Sequence, residues 1–131
     1  MDGVTISPNG NQLGVVAHGA GGEGNNKFEL RVVAVRNFIG QIYSDIGMSQ
    51  HKKKDYKASA QYFERATLAD PGLSIARYNY ACALAQQKHP DTEQALKAAI
   101  DAAGPSVKLR AVKDADFAGV AAEAWFVALT H

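Results

Sequence analysis

The sequence is poor in cysteine and has no long apolar run, and each shortage excludes a class of protein. Cys82 is the one cysteine among 131 residues, so the chain cannot form an intramolecular disulfide framework. No apolar run approaches the roughly 20 residues that a helix needs to span a bilayer. The stretch Met1–Gly10 contains an acidic residue and no basic one. We therefore expect no membrane partner, no signal peptide and a cytoplasmic location.

The chain also lacks an excess of charge of either sign. Fourteen lysines and arginines face thirteen acidic residues, which gives a net charge of +1. This balance predicts neither a nucleic-acid partner nor an anionic membrane. The basic run at residues 51–57 (HKKKDYK) is short, and it lacks the wider basic surface of a nucleic-acid-binding protein. Hydrophobic residues make up 47% of the chain, which predicts a packed core.

The first 35 residues are rich in glycine and β-branched residues, whereas alanine dominates afterwards. We expect short strands at residues 4–6, 13–18 and 27–35. Together they predict an N-terminal antiparallel β-ribbon over residues 1–35, which is marginal alone and must pack on something. An exposed edge of that ribbon is also a candidate dimer contact.

Between the second and third predicted strands lies the glycine-rich run Gly19–Gly24 (GAGGEG). It fits the pattern G-x-G-x-x-G, which binds phosphate only where a helix follows the glycines or where kinase-like motifs accompany a hairpin. Because a strand is predicted to follow and the kinase motifs are missing, we interpret the run as a flexible hairpin loop. We expect no cofactor.

Residues 36–131 carry helical periodicity and predict a helical domain. Apolar residues recur at three- and four-residue steps along each segment. Asp55 suits a helix start, and Pro71 suits a helix end because proline cannot continue a helix. The predicted helices cover residues 37–51, 55–70, 73–87, 90–103, 107–112 and 121–129.

Catalytic and metal-binding patterns are missing from the sequence. The four histidines show no metal-ligand spacing. Cys82 has no histidine in its own helix, so a packing role is expected for it. Asp114 and Asp116 are expected to cap the turn before Phe117. We therefore expect neither an enzyme nor a metal site.

Two successive segments, 40–73 and 74–105, share one organisation of helix, polar turn, helix and Gly/Pro stop. Their offset of about 34 residues is the period of a tetratricopeptide repeat (TPR). The second copy is looser, since Arg77 stands where an aromatic residue is expected. The tail DADF with its final helix is similar to the ending of many bacterial proteins of this kind. Residues 37–129 thus resemble the TPR family, and the matching positions in the first copy are Tyr43, Ile46, Gly47, Ser59, Phe63, Ala66 and Pro71.

The resemblance implies a mainly α protein in which antiparallel helical hairpins stack into an α-α superhelix. It also implies a non-catalytic scaffold that binds a peptide or helix of a partner protein in a concave groove. A carboxylate clamp found in some members is not matched, because Ser44 and Met48 occupy two of its positions. The groove positions that the resemblance assigns to partner binding are Gln41, Ser44, Met48, Ile75, Tyr78, Asn79 and Cys82.

A second interpretation stays open, because the third helix has two apolar faces. Ile75, Tyr78, Cys82 and Ala85 form a stripe opposite its core face, and such a stripe either meets a partner or is buried by the chain itself. In the second case the C-terminal helices or the strands would fill the groove. The alternative function is then a structural or assembly protein that forms a homodimer through the edge of the β-ribbon.

Overall fold

The computed structural model describes residues 22–131, apart from the side chains of residues 22–26 and 28. This part of the chain is mainly helical and contains no strand, so the predicted mainly α class is confirmed. None of its helices combines the length and the apolar character needed to cross a membrane. The elements are α1 (Gly22–Lys52), α2 (Tyr56–Ala69), α3 (Ser74–Gln86), α4 (Thr92–Ala103), α5 (Ser106–Lys113), a 3₁₀ segment (Ala115–Val120) and α6 (Ala124–Thr130).

Helix α1 corrects the interpretation of the N-terminal region. It covers residues 27–35, so the strand predicted there is wrong, and the first helix does not begin at Asn37. The run KFELRVVAV alternates in hydrophobicity but also contains good helix formers, and strand propensity yields readily to context. The helix also begins inside the glycine run, at Gly22, so the expected hairpin loop is wrong from that residue onward. The strands predicted at residues 4–6 and 13–18 lie outside the described residues.

The chain divides into two compact units, Met1–Phe38 and Ile39–His131. The division falls inside α1, close to the boundary that the change in composition predicts at residue 35. All features described below lie in the second unit.

The bounds of α2 follow from its caps, as predicted. The Asp55 side chain accepts a hydrogen bond from the backbone N–H of Ala58 at 3.1 Å, which satisfies a donor in the first turn. Asp70 ends the helix immediately before Pro71. The inner face of α2 is fully buried at Ser59, Phe63 and Ala66.

Helices α1 and α2 approach closely at two glycines. A Cβ atom at Gly47 would lie 2.8 Å from Cε1 of Phe63, and one at Gly40 would lie 2.7 Å from Cβ of Asp70. Contacts this short exclude any side chain larger than hydrogen without a shift of the neighbour. The two glycines therefore allow α1 to lie directly against α2.

Helices α3 and α4 form the second hairpin, again with bounds close to the prediction. Helix α4 begins at Thr92, two residues after Pro90, because Asp91 occupies the N-cap position. It ends at Ala103, and the next residue, Gly104, has a φ of 93°, which suits glycine. Helix α3 packs against α2, α4 and the 3₁₀ segment.

The C-terminal elements complete the main core. The α6 helix begins at Ala124 and not at residue 121, because the 3₁₀ segment and a turn precede it. Asp114 caps the 3₁₀ segment through a 3.0 Å hydrogen bond from the N–H of Asp116, as predicted for Asp114. The core that these elements share with α3 and α4 contains Tyr78, Ala81, Cys82, Ala85, Leu96, Ala99, Ile100, Val107, Ala111, Phe117, Val120 and Phe126.

Candidate functional site

The chain itself covers the second apolar stripe of α3. Tyr78 and Cys82 are only 2% and 3% exposed, and both belong to the core formed with the C-terminal elements. The centroid of the Phe117 ring lies 5.9 Å from that of the Tyr78 ring. The 3₁₀ segment therefore occupies the α3 side of the predicted groove. Little of Tyr78 or Cys82 is left for a partner to contact.

The other predicted groove residues divide into buried and accessible ones. Ser44 is buried, so its side chain does not belong to the surface. Gln41 is exposed and donates a 2.8 Å hydrogen bond to Asp45. Met48 and Ile75 are 38% and 37% exposed. Asn79 is half-buried and, with Met48, borders a cavity next to the covered stripe.

Two carboxylates hold the 3₁₀ segment in place. The Tyr78 hydroxyl donates to Asp114 Oδ2 at 2.7 Å. Gln86 Nε2 donates to Asp116 Oδ1 at 2.6 Å, and Asp116 Oδ2 lies 3.0 Å from His51 Nε2. These contacts, called the Asp114–Asp116 cluster below, join the 3₁₀ segment to α3 and to the last turn of α1. Hydrogen bonds to charged groups are among the stronger ones in proteins.

The cavity beside this cluster has a volume of about 140 Å³ and is half-open. The guanidinium of Arg110, on α5, lies over the Tyr78 ring at 4.4 Å from its centroid, which is a cation–π geometry. Arg110 lines the cavity and is exposed to solvent. We call this space the α1–α3 cavity; its lining residues are Met48, His51, Phe63, Tyr78, Asn79, Cys82, Arg110, Asp114 and Asp116.

Burial changes the acidity of two groups in the cavity wall. Desolvation, followed by the hydrogen bond to Asp114, raises the pKa of the Tyr78 phenol above its ordinary value of 10.0. Desolvation, followed by the negative charges of Asp114 and Asp116, raises the pKa of the Cys82 thiol above its ordinary value of 9.0. Both groups are therefore protonated and uncharged at neutral pH.

The cavity brings a histidine close to the cysteine, which the sequence did not predict. His51 and Cys82 line the same space although they lie on different helices. His51 Nε2 is directed to Asp116, however, and its Nδ1 lies 3.5 Å from Ser59 Oγ. The raised pKa of Cys82 also opposes a thiolate. The arrangement therefore does not activate the thiol as a nucleophile.

A metal ion could find three ligands in the same wall. Cys82, Asp114 and Asp116 each offer one atom within 4.8 Å of the others. A thiolate with two carboxylates would suit a zinc-like ion. The carboxylate oxygens of this set already accept hydrogen bonds from Tyr78, Gln86 and the backbone, so an ion would have to compete with these donors.

Two features of the site were not predicted from the sequence: the position of Arg110 in the cavity wall, and the contacts of Asp114 and Asp116 with α3. The sequence signal for these contacts was the second apolar stripe of α3, because a stripe of that length has to be covered by another segment or by a partner. The pattern could not say which segment supplies that cover.

Comparisons with known proteins do not assign the chain to a family. No protein-family model matches the chain. No curated protein and no solved structure matches it either.

Proposed function

We propose that the chain is a non-catalytic interaction module with TPR-like hairpins, which binds a peptide or helix of a partner protein at the α1–α3 cavity. The observation that carries the proposal is the half-open mouth of this cavity. It offers an apolar side chain from α1 (Met48), an amide from α3 (Asn79) and a cation from α5 (Arg110). The surface thus combines three kinds of recognition in one place.

The chemistry of the mouth suits a peptide ligand. An apolar side chain that covers the exposed part of Met48 stabilises the complex, because apolar surface is removed from water. Methionine also adapts to ligands of different shapes. The Asn79 amide can donate to and accept from the backbone of an extended segment. The buried Tyr78 and Cys82 would act as the floor of the cavity and not as contacts.

Two packing details support TPR-like hairpins. Gly47 lies against the Phe63 ring, which is the close helix crossing that the repeat pattern demands. The second hairpin, α3–α4, follows the first with the predicted offset. The C-terminal elements then act as the cap that a helical repeat array needs at its end.

The test is to select peptides from a randomised displayed library against the full chain and to measure their affinities for variants. Met48→Ala and Asn79→Ala should each weaken a selected peptide about five- to tenfold, equivalent to roughly 1 kcal/mol or more. Leu109→Ala, an exposed apolar residue of α5 outside the cavity lining, is the matched control and should change nothing. Peptides that bind all variants equally would rule out this surface.

A second candidate is an assembly role, and exposed side chains of α1 favour it. Ile39 and Ile42 are 39% and 43% exposed and lie one helical turn apart. A second copy could cover them, while the 3₁₀ segment fills the α3 side of the groove. The solution mass measured over a range of concentrations tests this role. A mass that stays monomeric at all concentrations would exclude it.

A further inference from the structure

A second groove lies on the other face of α3, away from the α1–α3 cavity. Two adjoining spaces of about 270 Å³ and 240 Å³ share Glu64 and Tyr80 as lining residues. Helix α3 forms the floor, while α2 and the region of α4 form the walls. We call this the outer groove, and its lining includes Glu64, Leu68, Tyr80, Asp91, Ala95 and Ala98.

The middle of the outer groove is acidic. Glu64 and Asp91 lie on either wall, close enough to Tyr80 that their charges, after burial, raise the pKa of its phenol. Among the side chains that the structure describes, no lysine or arginine forms an ion pair with either carboxylate. The exposed His89, whose Nδ1 accepts a 3.0 Å hydrogen bond from the Asp91 N–H, lies 3.9 Å from the Asp91 carboxylate. The carboxylates are therefore open to a cation from outside.

The basic residues of the groove do not form ion pairs with Glu64 or Asp91. Arg77 uses Nη2 to donate a 3.1 Å hydrogen bond to the carbonyl of Pro71, which directs it to the turn before α3. Lys57 lines only the second of the two spaces, which Asp91 does not line. The lining of the space around Asp91 thus carries two carboxylates and one guanidinium, which leaves one negative charge in excess.

One end of the groove is apolar. Leu68 is 75% exposed, which is the largest exposed fraction among the large apolar side chains of the described residues. The small side chains of Ala95 and Ala98 leave room beside it. An apolar side chain that docked here would cover surface that now faces water.

We propose that the outer groove docks a basic segment of a partner protein. A lysine or arginine of that segment would place its cationic group between Glu64 and Asp91 and its apolar stem along the Tyr80 ring. Such a stem covers apolar surface while the charged end keeps polar contacts. A neighbouring apolar residue of the segment would lie on Leu68. This surface is independent of the function proposed above.

The test uses a fluorescent, amidated peptide built from alanine, leucine and lysine, and a matched peptide with glutamate in place of lysine. The full-length chain should bind the lysine peptide more tightly than the glutamate peptide. The double variant Glu64→Gln/Asp91→Asn should weaken the lysine peptide at least tenfold. The control Glu93→Gln/Asp101→Asn removes the same charge from α4 outside the groove lining and should have little effect.

Two further variants separate this site from the α1–α3 cavity. Leu68→Ala should weaken the lysine peptide, whereas Met48→Ala should not change its affinity. Three results would overturn the proposal: no binding of the lysine peptide, equal binding of the glutamate peptide, or equal weakening by the control pair. Folding of each variant is checked by circular dichroism, and the substituted carboxylates are exposed, so folded variants are expected.

Discussion

Helices α1 and α3 occupy the same position in successive hairpins, yet their groove sides differ. The α3 side is covered by the 3₁₀ segment, and Tyr78 and Cys82 are almost fully buried there. On the α1 side, over residues 39–52, Gln41 and Met48 remain exposed. The corresponding faces of the two hairpins therefore differ. One is buried by the chain's own C-terminal elements, and the other leaves side chains exposed.

This difference shows that a groove inferred from a repeat pattern need not be open along its whole length. An apolar stripe on α3 has the same appearance in the sequence whether it meets a partner or the chain's own C-terminus. The covering segment is held by one aromatic side chain and by the Asp114–Asp116 cluster. Each of these contacts can be removed separately. Together with a change at the α1–α2 crossing and a change of pH, their removal gives the following predictions, in order of decreasing effect.

Removal of the aromatic contact should have the largest effect. Phe117 is 1% exposed and lies in the main core, so Phe117→Ala should lower the free energy of unfolding by about 3–5 kcal/mol. Chemical denaturation measures the loss. Val127→Ala, at an exposed site on α6, is the control and should change stability little. Equal effects of the two variants would contradict the covering role of the 3₁₀ segment.

Removal of the Tyr78 hydroxyl should have the next largest effect. Tyr78→Phe deletes the donor to Asp114 and should cost about 1.5–3 kcal/mol, because the acceptor is a carboxylate. Tyr62→Phe removes a hydroxyl from the half-buried face of α2 and serves as the matched control. Denaturation curves compare the two. A Tyr78→Phe variant as stable as the wild-type chain would show that the hydrogen bond does not hold the segment.

A methyl group at the crossing of α1 and α2 should have a smaller effect. Gly47→Ala places Cβ against the Phe63 ring, and overpacking of this kind costs about 1–3 kcal/mol. The better helix propensity of alanine offsets about 1 kcal/mol of that cost. We expect a net loss of about 1 kcal/mol, which Phe63→Leu in the same chain should partly relieve. A stabilised Gly47→Ala variant would show that the two helices do not meet at this residue.

Alkaline pH should lower the free energy of unfolding through two groups buried on the covered side of α3, Cys82 and Tyr78, which stay protonated at neutral pH. Burial raises the pKa values of Cys82 and Tyr78 in the folded state, so folding favours their protonated forms. Their contribution to the free energy of unfolding is complete below the ordinary values of 9.0 and 10.0, and it is lost as pH rises above them. Stability measured from neutral pH to above pH 10 should fall less steeply in Cys82→Ser/Tyr78→Phe than in the wild-type chain. Identical slopes would contradict the burial of these groups.

The sequence predicts the helical part of the fold well where local signals are strong. Asp55 and Pro71 bound α2 through capping and the geometry of proline, and both act locally. The strand predicted at residues 27–35 was wrong, because β-branched residues and alternation are weak signals in a segment that also contains good helix formers.

The candidate site could be predicted only in part. The resemblance assigns Met48 and Asn79 to a partner-binding groove, which stays a prediction, and both residues line the α1–α3 cavity. Ser44 is buried, and the cover over Tyr78 comes from a segment about 36 residues further along the chain. Contacts at that separation depend on how α5 and the 3₁₀ segment fold back, which periodicity does not encode. The outer groove was missed for a similar reason, because it exists only where α2 and the region of α4 stand on either side of Tyr80.

The most direct test of the covered α3 side is the reactivity of the Cys82 thiol, since the chain contains no other cysteine. The wild-type chain is mixed with a thiol reagent in native buffer and again in denaturant. A Cys82→Ser/Ala102→Cys variant supplies an exposed reference thiol. We expect Cys82 to react far more slowly than the reference thiol in native buffer and at the same rate in denaturant. A native Cys82 that reacts as fast as the reference would contradict the placement of the 3₁₀ segment over α3.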